Sequence, residues 1–353
     1  MTTVTNRTAA LSAADSGPAS RATLSEVAER AGVSISTVSK VLNGRGGVSL
    51  DTRARVTGIL RDQRYNRRNS TQAAAPLLEL VCQALDSPWM VEVVVGVESV
   101  ARENGLSVVV TGMKDRGAGD ASWIEGVLQR RPLGVVLVIA DLSDDNRHQL
   151  RSHSIPFVII DPEGDPDPDV PAIGSANWMG GFMATRHLIG LGHRDIATIS
   201  GPDGFMASTA RLSGYRAALA GAGIPEHGGY VRGGDFSLEV GLAEGLVLLG
   251  RPDRPTAIFA ASDMQALGVY EAARTLALRI PDDLSVVGFD DLHMTRFTGP
   301  PMTTVRQPLT EMAEEATRLV LRLREEPALR STRLELATTL VVRGSTAHPA
   351  PSG

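Results

Sequence analysis

Apolar positions in this chain fall into two regimes. From Leu24 to Leu60 they recur at helical spacing in short runs, and from Leu77 onward short β-rich runs alternate with longer helical stretches. In the first regime Leu24, Val27, Ala28 and Ala31 stand at i, i+3, i+4 and i+7, one apolar helix face. Thr23 and Glu26 make an S/T-x-x-E capping box at its start. Gly32 stops the helix, because glycine takes the left-handed cap conformation at little cost. Ser34 is placed to cap a second helix whose Val38, Val41 and Leu42 return to the same core. A third helix is predicted from about Thr52 to Arg64, capped by Ser49, with Val56, Ile59 and Leu60 inward and Tyr65 closing the unit. Two short helices joined by a glycine-containing turn read as helix-turn-helix.

In the second regime the strand candidates are Leu77–Leu85, Leu106–Gly112, Gly134–Ala140 and Pro156–Asp161. After a Pro/Asp-rich break at 162–171 they resume at Asp195–Ser200, Thr256–Ser262 and Leu284–Phe289. Helical stretches lie near Trp89–Asn104, Ala121–Arg131 and Asp144–His153, then near Met179–Leu191, Ala207–Gly223, Leu238–Leu249 and Met264–Leu276. This alternation predicts parallel sheets with helices on both faces, in two Rossmann-like blocks.

Charge separates the two regimes further. Residues 21–68 hold ten Arg/Lys against four acids (Glu26, Glu29, Asp51 and Asp62), a net of +6. The whole chain is −5 and residues 1–20 are neutral, so residues 69–353 carry −11. One basic module on an acidic body is the electrostatic footprint of nucleic-acid binding. The exposed face of the second helix carries Ile35, Ser36, Ser39 and Lys40, short or cationic groups able to enter a major groove. Lys40 is one of only two lysines, the other being Lys114.

The run AGVSISTVSKVLN at 31–43, followed by Val48-Ser49 and a third helix ending at Tyr65, resembles the headpiece of the lactose-repressor (LacI/GalR) family of bacterial transcription regulators. Further on, GFDD at 288–291 and PMTTVRQP at 301–308 resemble core signatures of the same family. The resemblance implies an all-α helix-turn-helix headpiece joined to an α/β, two-lobed, periplasmic-binding-protein-like core. The expected division is a tail (1–21), a headpiece (22–66), a hinge linker (67–76), a core (77–345) and a second tail (346–353). Within the core, one subdomain takes about 77–176 and 308–330, the other about 177–307 and 331–345, with crossings near 176, 307 and 330.

The resemblance also assigns roles. Thr23, Ser34, Ile35, Ser36, Thr37, Ser39, Lys40, Asn43, Arg45, Tyr65, Arg67 and Arg68 are expected at double-stranded operator DNA, an inverted repeat read by a homodimer. Ile35 and Ser36 occupy the main specificity positions. Isoleucine has no donor, so it is expected against a thymine methyl. Relatives insert a leucine from the hinge into the minor groove, a wedge that bends the duplex. Here the aligned position falls near Ala74, and Leu77 and Leu78 belong to the first predicted strand. Arg67 and Arg68 are then assigned to phosphates or to a narrow minor groove.

Ligands of open α/β sheets sit beyond the carboxyl ends of the strands. Polar and aromatic residues at those ends, together with the resemblance, nominate Trp89, Asp161, Trp178, Arg211, Ser262, Asp290 and Gln307 for a small effector. Carboxylates accept from vicinal hydroxyls, a guanidinium donates in a planar fork, and an indole covers a pyranose face, so the set suits a sugar. Ser262 stands where the family commonly has asparagine. The helix from Met90, with Val91, Val93, Val94, Val95, Val97 and Val100, is too apolar for one buried face and is expected at a dimer contact.

Composition narrows the alternatives. Hydrophobic content of 42% supports a substantial core. The single cysteine, Cys82, excludes an intrachain disulfide and fits a reducing compartment, the bacterial cytoplasm. No apolar run approaches ~18 residues, so no membrane span is expected. Residues 1–20 have no apolar stretch of the signal-peptide kind. The seven histidines show no metal-ligand spacing, and no nucleophile elbow or phosphate loop occurs, so neither an enzyme nor a cofactor is expected. A solute-binding protein of a transport system shares the two-lobed core but would need export. An α/β enzyme with an accessory DNA-binding segment would need a catalytic constellation.

Overall fold

The computed structural model describes residues 24–42, 47–62, 75–83, 85–113, 122–138 and 142–350. Thr23, Asn43, Arg45, Tyr65, Arg67, Arg68 and the hinge as far as residue 74 lie outside them. The chain divides into two units, Met1–Ala73 and Ala74–Gly353.

The first unit has three helices, α1 (Leu24–Ala31), α2 (Ile35–Leu42) and α3 (Leu50–Asp62). Val27, Ala28, Ala31, Val38, Val41 and Val56 form its buried core, with Leu24, Ile59 and Leu60 packed against it. Both expected serine caps are made. The Thr37 amide donates to Ser34 Oγ at 3.1 Å, and the Thr52 amide to Ser49 Oγ at 3.3 Å. Gly32 takes φ +62, the left-handed conformation that ends α1.

The second unit alternates strand and helix. Its first stretch contains β1 (Leu77–Cys82), α4 (Pro88–Glu103), β2 (Ser107–Gly112), α5 (Ser122–Arg130), β3 (Gly134–Val138), α6 (Asp144–Ser152), β4 (Phe157–Ile160) and β5 (Ala172–Ser175). The second contains α7 (Asn177–Gly190), β6 (Ile196–Ile199), α8 (Met206–Gly221), β7 (Val231–Arg232), α9 (Leu238–Leu249), β8 (Ala257–Ala260), α10 (Asp263–Thr275), β9 (Ser285–Asp290) and β10 (Thr303–Arg306). Then follow α11 (Leu309–Arg322), β11 (Arg333–Leu336) and β12 (Thr339–Val341).

The strands form two six-stranded sheets, ordered β11-β5-β4-β3-β1-β2 and β12-β10-β9-β8-β6-β7. Each contains the doubly wound order in which the chain reverses direction beside the first strand, at β1/β3 in one lobe and β6/β8 in the other. A crevice opens at such a switch point, beyond the carboxyl ends of the strands. All pairings are parallel except β10 with β12.

The chain crosses between lobes at Ala176, at Gln307–Pro308 and at Ala337–Thr338, and the crossings are stitched together. Ser175 Oγ donates to Gln307 Oε1 at 2.7 Å, the Ala176 amide to Leu336 O at 2.8 Å, and Thr338 Oγ1 to Ala176 O at 3.2 Å. The third crossing is later than the position near 330 expected from sequence. Arg333–Leu336 adds an edge strand to the first sheet by pairing with β5 before the chain leaves that lobe.

Leu77 and Leu78 lie in β1, Leu78 fully buried, so neither is available as a minor-groove wedge. Among the described residues no helix is long and apolar enough to cross a membrane.

Candidate functional site

Helix α2 begins with its hydroxyls bonded to one another. Ser34 Oγ lies 2.8 Å from both Ser36 Oγ and Thr37 Oγ1 while also accepting the Thr37 amide. Ser34 is therefore a helix cap, and the Ser36 hydroxyl must turn from it to meet a base. Ile35 is 51% exposed, which is costly for a large aliphatic group unless a partner covers it. Lys40 is exposed as expected. Ser39, also expected on the open face, is half-buried, because its position on α2 turns it partly toward the helix's packed side.

In the core, a cleft of about 370 Å³ lies beyond the carboxyl ends of both sheets. Trp89 and Asp161 enter from the first lobe, Arg211, Ser262 and Asp290 from the second. Arg211 is the centre of the arrangement. Its side chain is 4% exposed; Nε donates to Asn177 Oδ1 at 2.7 Å and Nη1 to Ala261 O at 2.5 Å. The guanidinium carbon stands 3.8 Å from the Phe289 ring centroid and 5.4 Å from that of Phe236, a cation held between two aromatic groups. Nη1 is 4.0 Å from Asp290 Oδ1.

The local sequence explains why Arg211 sits there. A Cβ on Gly181 would run into Arg211 O, and one on Gly214 into Trp178 O. These two glycines let α7 and α8 pack backbone to backbone, which brings Asn177 at the head of α7 onto Arg211.

Burial sets the electrostatics. It pushes the Asp290 carboxyl up to about 6, against the pull of Arg211 and of Gln307, whose Nε2 donates to Asp290 Oδ1 at 2.6 Å. Burial also raises Asp161, countered by Arg211 and by a hydrogen bond to Asn177. Desolvation depresses Arg211, opposed by Asp290, Asp161 and Asp263. Asp263 is raised by burial and by the charge of Asp290; it accepts from the Leu292 amide at 2.8 Å and from Thr304 Oγ1 at 2.6 Å. Asp161 and Asp290 stand at their strand ends with positive φ, +50 and +123. Such backbone strain is retained where the surroundings hold it, and it clusters at functional sites.

The profile of the "Bacterial regulatory proteins, lacI family" matches residues 23–68, and that of the "Periplasmic binding protein-like domain" matches residues 185–346. The ribose operon repressor of Escherichia coli (strain K12) is 34% identical over 329 residues, covering 92% of this chain and 99% of the relative. The chain belongs to the lacI family of bacterial regulatory proteins. A transcriptional regulator CelR–cellobiose complex superposes with TM-score 0.71 at 34% identity, covering 92% of this chain and all of that one. The lac repressor dimer bound to operator and an anti-inducer gives 0.68 at 28% identity, covering 93% of this chain and all of that one. The relatives are transcriptional regulators, and membership decides against the transport-protein alternative.

Three residues nominated from the lacI-family resemblance are placed differently in this chain. Trp178 is 43% exposed and stacks on Phe182, ring centroids 5.3 Å apart, outside the cleft. Asn177 points inward at the start of α7, and the next residue is turned ~100° around the helix, toward solvent. Gln307 is buried in the crossing behind Asp290, with its amide spent on Ser175 and Asp290, so it positions the carboxylate rather than lining the cleft. Ser262 lines the cleft, but its hydroxyl caps α10 through the Gln265 amide at 3.1 Å and donates to Phe236 O at 3.0 Å.

The structure adds Phe205, Asp235, Phe236 and Glu239 to the lining. Phe205 and Phe236 meet edge to face at 6.5 Å. Among the described residues, Asp86, Asp161, Asp235, Glu239 and Asp290 thus line the cleft with one guanidinium, that of Arg211.

Proposed function

We propose that this lacI-family protein is a repressor of sugar-utilisation genes that holds an inverted-repeat operator as a homodimer and releases it when a neutral sugar fills the interlobe cleft. The observation that carries the reading is a buried guanidinium against the Phe236 and Phe289 rings, sharing one cleft with buried Asp290, half-buried Asp161 and Trp89. Asp161 and Asp290 accept from ring hydroxyls, Arg211 donates to a ring or hydroxyl oxygen, and the aromatic rings cover the C–H face. Among the described residues, five carboxylates against one guanidinium disfavour a phosphorylated sugar. Ribose and cellobiose appear in the names of relatives and neighbours, which supports a sugar without choosing one.

The switch follows from linkage. A sugar releases DNA only if it binds the low-affinity state of the protein better, and operator then weakens sugar binding by the same factor. The route is short: Asp290 is bonded to Gln307, Gln307 to Ser175, and both partners flank interlobe crossings. A sugar that draws on Asp290 therefore acts on the hinge by which the lobes move.

At the operator, Ile35 covers a thymine methyl, Ser36 turns from Ser34 to a base edge, and Lys40 serves a phosphate or guanine as a point charge. Exposed Val91 and Val95 on α4, at 57% and 50%, suit the twofold contact of a dimer. The site of action is then the bacterial cytoplasm, where operator DNA resides. Fluorescence anisotropy with the upstream region of the gene, with and without a sugar panel, tests the proposal. Release by a neutral sugar supports it; tighter DNA binding with sugar reverses the sign of the switch.

A further inference from the structure

The first lobe carries a second cavity, of about 260 Å³, at the edge of its sheet opposite the effector cleft, among the amino ends of β4 and β5. Ile155, Phe157 and Leu323, all buried, supply an apolar floor. Around it stand three guanidinium groups, Arg151, Arg324 and Arg330, against one carboxylate, Asp169.

Several arginines elsewhere in the core are matched with acids, among them Arg216 with Glu226, Arg251 with Asp253, and Arg318 with Glu314 and Glu315. Arg324 and Arg330 have no ion-pair partner among the described residues, although the core as a whole is acidic. Arg151 is only partly matched. Its Nη1 lies 2.7 Å from Asp169 Oδ2 and its Nη2 donates to Asp169 O at 2.9 Å, but its Nε is buried with no acceptor. A buried donor without an acceptor is costly and rare enough to call for an explanation. A concave apolar floor beside two cations without an acid partner offers a place to a negatively charged group with a carbon body.

We propose that this cavity is a second ligand site for a small organic dianion, a short dicarboxylate or a phosphate monoester. Its charges rest on Arg324 and Arg330, and its carbon body rests on the apolar floor beside Leu323. The cavity is below the ~300–1,000 Å³ usual for drug-sized ligands, which fits a small acid. Guanidinium forks match both carboxylate and phosphate oxygens, so the geometry fixes the charge class and leaves the head group open. The site is independent of the sugar cleft, whose excess of carboxylates repels the same anions.

Isothermal titration calorimetry on the full chain, with chloride at matched ionic strength as the blank, tests this with succinate, phenyl phosphate and inorganic phosphate. Saturable binding of succinate or of phenyl phosphate is expected, and which of the two binds identifies the head group. Arg324→Ala with Arg330→Ala is expected to weaken it at least tenfold with the unliganded melting temperature unchanged, since both side chains are exposed. The proposal is overturned if neither organic probe saturates at millimolar concentration, if the double variant binds as well as the parent, or if inorganic phosphate matches both organic probes.

Discussion

Asp290→Asn isolates the charge at the centre of the cleft. The amide keeps an oxygen for Gln307 Nε2 and nearly the same volume, and only the ionisation is lost. The parent carboxyl titrates at about 6 instead of the ordinary 3.8, so holding it ionised in the fold costs about 3 kcal/mol at pH 8. The sign follows from proton uptake. Between about pH 4 and pH 6 the folded chain keeps a proton that the unfolded chain has lost, so the parent loses stability as pH rises through that window. Asparagine does not titrate, and Asp263, raised in part by the charge of Asp290, is relieved as well. The variant is therefore expected to be more stable than the parent by about 3 kcal/mol at pH 8, roughly 6–12 °C in melting temperature for a core of this size. The gap is expected to close near pH 4. Sugar affinity moves the other way. Each hydrogen bond to a charged group contributes about 1.5–3 kcal/mol, so a loss of at least tenfold is expected. Calorimetric melting of both proteins across the pH range, with sugar titrations at neutral pH, measures both effects. A variant less stable than the parent at pH 8, or a stability gap that does not change with pH, would refute the reasoning.

Other consequences are as specific. Gly181→Ala places a methyl against Arg211 O, so α7 must shift from α8; a loss of about 1–3 kcal/mol is expected, with weaker sugar binding through the displaced Asn177–Arg211 bond, read by melting and titration. Trp178→Ala is expected to leave sugar affinity unchanged, because the indole lies outside the cleft; a large loss in titration would return it to the site. Ile35→Ala is expected to weaken thymine preference at one position per half-site without lowering the melting temperature, as a binding selection over randomised operators would read.

The sequence made the periodic features legible. The helices of the headpiece, both serine caps and the strand–helix alternation of the core follow from spacing and capping chemistry, which act over a few residues. Asp161, Arg211 and Asp290 were legible because they stand at strand ends or at matched motifs, where the switch points of the two sheets converge. Phe236 and Asp235 were not, since the strand before them, Val231–Arg232, has only two residues and leaves no alternation to read. The edge strand Arg333–Leu336 was missed because its burial is slight and its pairing with β5 is contributed from far along the chain. Trp178 was misplaced because a residue next to a correctly inward Asn177 turns outward on a helix. Gln307 and Ser262 were placed near the right chemistry, but which hydrogen bonds consume their side chains depends on Ser175, Asp290 and Phe236, distant in sequence.

The central claim is that filling the cleft loosens the grip on DNA, and one titration tests it most directly. The affinity of the full chain for its own upstream operator is measured at rising concentrations of a neutral sugar that binds the core, in the parent and in Asp290→Asn. The account predicts that the sugar weakens operator binding in the parent, that operator weakens sugar binding by the same factor, and that the variant needs at least tenfold more sugar for the same release. An operator affinity that stays constant while the cleft saturates would contradict it.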